Sequence, residues 1–129
     1  MWGSIPALRT RPPVMPSPED IARLMQEAGV PALLVGDSAA NVVLGHPTTL
    51  PVPLSFMIEL TAAVRRGAPL AFLVADMPFG SYAGDVTSAA RSVCRMVKLS
   101  GCDCVKLEVA AGHASTARPR NANRPRGRF

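Results

Sequence analysis

Three short apolar runs alternate with helix-period segments, and that alternation limits the fold more than any other feature of the chain. The runs are Ala32 to Val35, Leu70 to Ala75 and Cys104 to Leu107. Each is a few residues long and apolar apart from Lys106 in the third, and the unbroken apolarity of the first is the pattern of a parallel-sheet strand covered on both faces. Ahead of the first run, Ser17 reads as a helix N-cap, with Pro18 at the first helical position and Asp20 completing a capping box. Ile21, Leu24, Met25 and Ala28 then fall on one face of that helix, and Gly29 ends it. A second helix is expected over Ser55 to Arg66, with Phe56, Met57, Leu60 and Val64 on one face and Gly67 as the stop. Asp85 caps a third helix, with Val86, Ala90, Val93 and Val97 inward and an end near Gly101. Strands alternating with helices predict parallel βαβ units, hence an α/β fold.

The chain holds about three βα units and part of a fourth, whereas a complete (β/α) barrel has eight over about 250 residues. Residues 1–16 are Pro-rich and aperiodic apart from Val14-Met15, which could belong to a first strand. Residues 17–112 form the α/β part. Residues 113–129 hold Arg118, Arg120, Arg124, Arg126 and Arg128 among Pro, Ala, Asn and Gly, with no apolar period, which reads as a disordered basic tail.

The formal net charge is +5. Residues 1–112 carry nine basic and nine acidic side chains, so the whole excess lies in the tail. A nucleic-acid-binding arm would need more than that, because the tail interleaves no aromatics and has no secondary-structure signal. No apolar run approaches the roughly 20 residues of a membrane span. The opening residues make a poor signal peptide, so a cytoplasmic protein is expected. Cys94, Cys102 and Cys104 show no paired ligand spacing and read as buried free thiols, with a Cys102-Asp103-Cys104 metal clip as the sharper alternative. His46 reads as a solvated loop residue, Phe79 and Tyr82 as packing or loop-positioning residues, and His113 is assigned nothing.

Chemistry enters at the strand ends. The three runs close on Asp37, Asp76 and Glu108. In parallel α/β folds the C-terminal strand ends share one face, where sites form. Three carboxylates converging there repel one another unless a cation holds them, and hard oxygen donors with room for water suit Mg²⁺. Lys106 lies two residues before Glu108 and points to the same side, where its charge would suit an anionic ligand. The plainer alternative is that such acidic residues cap helices or sit solvated on loops.

These residues also carry a family resemblance. Leu33-Leu34-Val35-Gly36-Asp37-Ser38, Val42-Val43-Leu44-Gly45 and Thr48-Thr49-Leu50-Pro51-Val52 resemble the first active-site strand and loop of ketopantoate hydroxymethyltransferases. Val74-Ala75-Asp76-Met77-Pro78-Phe79-Gly80-Ser81-Tyr82 and Val105-Lys106-Leu107-Glu108 are similar to the next two signatures, in order. The resemblance spans roughly residues 19–108 and implies a parallel (β/α) barrel of TIM type, truncated here to the first three to four βα units. It implies transfer of a hydroxymethyl group from 5,10-methylenetetrahydrofolate to 3-methyl-2-oxobutanoate, giving 2-dehydropantoate in pantothenate and coenzyme A synthesis. By the same resemblance Asp37, Asp76 and Glu108 are Mg²⁺ ligands, Glu108 through water. Asp37, Ser38, Asp76 and Lys106 contact the substrate, and the full-length family forms homo-oligomers.

The resemblance stops at identifiable places. Arg11 to Pro16 do not resemble the family's opening strand, and Ala39-Ala40-Asn41 stand where Leu-Gly-Met is usual. Val109-Ala110 replace a Gly-Gly pair. No position corresponds to the glutamate that serves the family as general base, so the resemblance implies no catalytic residue within the chain. Out-of-frame translation of a GC-rich gene would produce a segment like residues 109–129; a shortened paralogue is the alternative. The functional alternative is a non-catalytic remnant that binds Mg²⁺ and a 2-oxo acid. Another 2-oxo-acid barrel enzyme, such as a lyase of the phosphoenolpyruvate-mutase type, fits the combined signatures less well.

Overall fold

The computed structural model describes residues 16–108. The Val14-Met15 strand, the tail over residues 113–129, the Val109-Ala110 departure and His113 lie outside the described residues. Within them run α1 (Pro18–Glu27), β1 (Ala32–Val35), α2 (Ala39–Val42), α3 (Leu54–Gly67), β2 (Phe72–Asp76), α4 (Val86–Ser100) and β3 (Cys104–Lys106). The strands form one parallel sheet in the order β1-β2-β3, with Val35 beside Ala75 and Asp76 beside Lys106. Alternation of strand and helix thus yields the expected parallel α/β arrangement.

Local chemistry sets the helix ends. The Asp20 backbone N–H donates to Ser17 Oγ and the Ser17 N–H donates to Asp20 Oδ2, both at 3.2 Å, so the capping box is present. Asp85 accepts from the N–H groups of Thr87 and Ser88 at 2.8 and 3.0 Å and starts α4. Gly101 ends α4 at φ +72°, a left-handed conformation that a side chain would strain.

The buried faces of α1 and α4 differ from the expected ones, whereas the expected face of α3 packs against the core. In α1 the buried residue is Ala22, while Ile21, Leu24 and Met25 are exposed. The reason is a close approach: α1 meets the end of α3 through Ala22 against Ala68 and Ala71, where small side chains fit and the large ones must turn away. In α3 the buried positions are Met57, Ile58, Thr61 and Gly67, with Phe56, Leu60 and Val64 half-buried beside the first three. In α4 Val86, Ala90 and Val97 are exposed, and the buried residues are Met96 and Ser100 with Val93 packed alongside. The Thr61 and Ser100 hydroxyls survive burial by donating to the carbonyls one turn back, at 2.6 and 2.7 Å. The expected polar loop after β1 contains the short helix α2, because Ala39 and Ala40 pack into the core.

Two strand boundaries also move. Leu70 stands outside β2 and is 87% exposed. Its neighbourhood is claimed by Arg65, whose guanidinium donates to the carbonyl oxygens of Ala68, Pro69 and Ala71, while Arg65 Nε donates to Gly101 at 2.9 Å. These carbonyls serve a side chain instead of a ladder, so the strand starts later. At the other end β3 closes at Lys106 and leaves Leu107 irregular.

Only one face of the sheet is covered among the described residues. Leu33, Val35, Leu73, Ala75 and Val105 join Met57 and Met96 in the core with α3 and α4. The alternate positions face the other way, and there Leu34 is 57% and Phe72 52% exposed. The expectation of strands covered on both faces therefore holds for one face here. Of the cysteines, only Cys102 is buried; Cys94 and Cys104 are exposed. The Cys102-Asp103-Cys104 clip is also overturned as a site, because Asp103 already pairs with Arg65 and accepts the Leu73 N–H at 2.8 Å.

That aspartate makes stability pH-dependent. The Leu73 N–H, followed by the Arg65 guanidinium, holds its carboxyl below the ordinary value of 3.8. A depressed pKa stabilises the fold above the ordinary value and loses that contribution as pH falls through the lowered one. Asp103→Asn removes the effect. The wild-type thermal midpoint is therefore expected to fall more steeply than the variant's between about pH 5 and pH 3. Parallel curves from thermal scans across that range would deny Asp103 the role.

Candidate active site

The sheet delivers its polar residues to one end. β1 runs into Gly36-Asp37, β2 ends on Asp76, and β3 ends on Lys106 shortly before Glu108. All three strands are parallel, so their C-terminal ends lie together. A cleft there is lined by Asp37, Asp76, Lys106 and Glu108, together with Thr49, Leu50, Met77, Phe79 and Tyr82 from two loops. The three strand-end carboxylates and the lysine expected from the sequence are thus brought together. Ser38 is not among the side chains lining the cleft; it is exposed at the start of α2, with its Oγ bordering the same Gly36 space as Asp76 Oδ2.

Asp76 is the hub. It is buried, and its Oδ2 accepts the Asp37 backbone N–H at 3.3 Å while its Oδ1 takes the Lys106 ammonium at 2.8 Å. Lys106 Nζ also lies 3.5 Å from Glu108 Oε1. The Asp76 carboxylate, opposed only in part by desolvation, raises the Lys106 pKa above its ordinary value of 10.5. Lys106 therefore stays cationic at neutral pH. An ammonium has three N–H donors, so even with Asp76 hydrogen-bonded and Glu108 alongside it keeps donor capacity for an anionic ligand.

Two further features support the site, and the first agrees with the reading of Tyr82 as a loop-positioning residue. Tyr82 donates its hydroxyl to the Glu108 carbonyl oxygen at 3.0 Å, tying the loop after β2 to the end of β3. Gly36 keeps space open: a Cβ there would come within 3.0 Å of Ser38 Oγ and 3.6 Å of Asp76 Oδ2. Thr49 and Leu50 lie inside the Thr48–Val52 segment that carried the resemblance, which was the available signal for them. His46 is half-buried, and its carbonyl accepts from Asn41 Nδ2 at 2.7 Å; it does not line the cleft.

No group of three His, Cys, Asp or Glu side chains stands ready to hold a metal among the described residues. Lys106 occupies the position of counter-ion between Asp76 and Glu108. The donor chemistry nevertheless fits a hard divalent cation: Asp37 and Asp76 offer carboxylate oxygens at adjacent strand ends, beside a space that a Cβ at Gly36 would fill.

Fold and cleft define a parallel α/β protein with a lysine- and carboxylate-lined cleft at the carboxyl ends of its strands. Sequence comparison gives the family. The sequence profile of the ketopantoate hydroxymethyltransferases matches residues 18–120, and the chain belongs to that family. A 3-methyl-2-oxobutanoate hydroxymethyltransferase of Mycobacterium tuberculosis (strain ATCC 25618 / H37Rv) is 53% identical over 87 residues, covering 67% of this chain. Another from Thermobifida fusca is 53% identical over 92 residues, 71% of this chain. One from Desulfotalea psychrophila is 50% identical over 88 residues, 68% of this chain. The match spans only 31 to 32% of the length of these relatives. No helix among the described residues is long and apolar enough to cross a membrane.

Proposed function

We propose that the cleft is the metal and substrate half of a hydroxymethyltransferase site acting in pantothenate synthesis in the cytoplasm. The observation that supports this best is the buried Asp76, which gathers the Asp37 backbone and the Lys106 ammonium at one strand end. Asp37 and Asp76 would hold Mg²⁺, with Glu108 reaching it through water. The ion supplies Lewis-acid polarisation of a 2-oxo group when bound. Lys106 spends its remaining donor capacity on the carboxylate of 3-methyl-2-oxobutanoate, and Ser38 contributes its hydroxyl from the α2 side of the Gly36 space. Asp76 keeps that ammonium charged and aimed. The one-carbon unit would come from 5,10-methylenetetrahydrofolate. The carboxylates lining the cleft among the described residues are all engaged in this work, so removal of the substrate proton is assigned to a group outside them.

The open sheet face belongs to the same reading. Leu34, Phe72 and Val74 stand on the side of the sheet that carries Asp76 and Lys106. That face would be the inner wall of a (β/α) barrel, of which the described residues would form the first units.

Titration calorimetry with 3-methyl-2-oxobutanoate tests the proposal. Binding is expected with Mg²⁺, is lost in a chelator, and returns when Mg²⁺ is restored. Binding indifferent to the chelator removes the metal from the site, and no binding in either condition removes the proposal.

A further inference from the structure

Exposed apolar side chains stand on the rim of a charged cleft, and water alone does not favour them there. Leu50 is 58% exposed and Phe79 67% exposed, although both line the space that holds Lys106 and Asp76. They come from separate loops, one following α2 and one following β2, and the buried Met77 also lines the cleft. A ligand with an anionic head and a compact apolar body matches both halves of this lining: the head on Lys106, the body between Leu50 and Phe79. A smaller acid would leave the two side chains as wet as they are now.

We infer that Leu50 and Phe79 are specificity-determining residues that select a branched alkyl group on the 2-oxo acid and discriminate against short acids. This rests on the functional proposal above and adds the residues that set its choice. The selectivity follows from area: a branched acid covers apolar surface on both rim residues, whereas pyruvate brings a single methyl group. A few methylene equivalents of partly exposed surface correspond to about a fivefold to tenfold preference. Bulk at position 50 adjusts the space directly, because Leu50 sits on a loop and leaves the core intact when changed.

The test titrates the full chain in Mg²⁺ with 3-methyl-2-oxobutanoate and with pyruvate, for wild type, Leu50→Ala, Phe79→Ala and Leu50→Phe, each checked for folding by circular dichroism. Expected is a fivefold to tenfold wild-type preference for the branched acid. Either alanine variant is expected to reduce that preference by about twofold to threefold while pyruvate binding stays within about twofold. Leu50→Phe narrows the space and is expected to shift the preference towards pyruvate. Equal affinity of the wild type for both acids, or an unchanged ratio in all three variants, overturns the inference but leaves the proposed function standing. Failure of the wild type to bind either acid overturns both.

Discussion

Gly67→Ala is expected to destabilise the fold by about 2–3 kcal/mol, read as a lowered midpoint in urea unfolding at unchanged slope. Gly67 is the last residue of α3 and is buried. A Cβ there would collide with the backbone carbonyl of Glu19 and lie 3.0 Å from the Ala22 Cβ. Neither obstacle can rotate away, because one is main chain and the other is the first atom of a side chain. α1 would have to move off as a body, stretching the Arg66–Glu19 pair at 2.9 Å and the hydrogen bond from the Leu70 N–H to Gln26 Oε1 at 2.8 Å. Alanine's better helix propensity recovers at most about 1 kcal/mol, so the collision decides the sign. Hydrogen exchange locates the damage: amides of α1 should lose protection before those of α3 and α4. A variant as stable as wild type would mean that α1 is held too loosely for its contact to matter.

The same glycine shows what the sequence could and could not disclose. Its role as a helix stop was legible, because Gly67 ends a periodic segment. Its role as a contact surface was not, because close approach of two helices is a tertiary fact. The capping box at Ser17 and the Asp85 cap were readable since both depend on residues three or fewer apart. The inward stripes of α1 and α4 were misjudged for the opposite reason. Periodicity groups Ile21, Leu24 and Met25 on one face, but which face meets the rest of the protein was decided by Ala22 fitting against Ala68 and Ala71. Nothing in the local sequence marks Arg65, because only the fold brings five acceptors within its reach.

The cleft was more legible than the packing because strand ends are fixed by topology. Once the three apolar runs form a parallel sheet, Asp37, Asp76, Lys106 and Glu108 arrive at one end without further information. The loops that complete the cleft were visible only as parts of motifs. Leu50 and Phe79 have no periodicity to betray them, and their place on the rim follows from loop paths that no local pattern encodes.

Asp76→Asn is expected to weaken Mg²⁺-dependent binding of 3-methyl-2-oxobutanoate by at least about 100-fold while leaving the chain folded. The substitution keeps the shape and keeps an oxygen that can accept the Asp37 N–H. It removes the charge, so Lys106 loses its 2.8 Å partner and a hard anionic donor disappears from the cleft. Lys106 is half-exposed, so loss of the pair costs stability only about 1 kcal/mol or less. The binding loss, by contrast, has two sources, metal affinity and the aim of the ammonium. Lys106→Met separates them: it should impair 2-oxo acid binding while Mg²⁺, titrated alone, still binds. Asp76→Asn should impair both. If Asp76→Asn binds the acid as tightly as wild type, the carboxylate is a structural partner of Lys106 and the metal belongs elsewhere. If it loses the acid but binds Mg²⁺ normally, Asp76 acts through the lysine alone, and Asp37 and Glu108 become the donors to test.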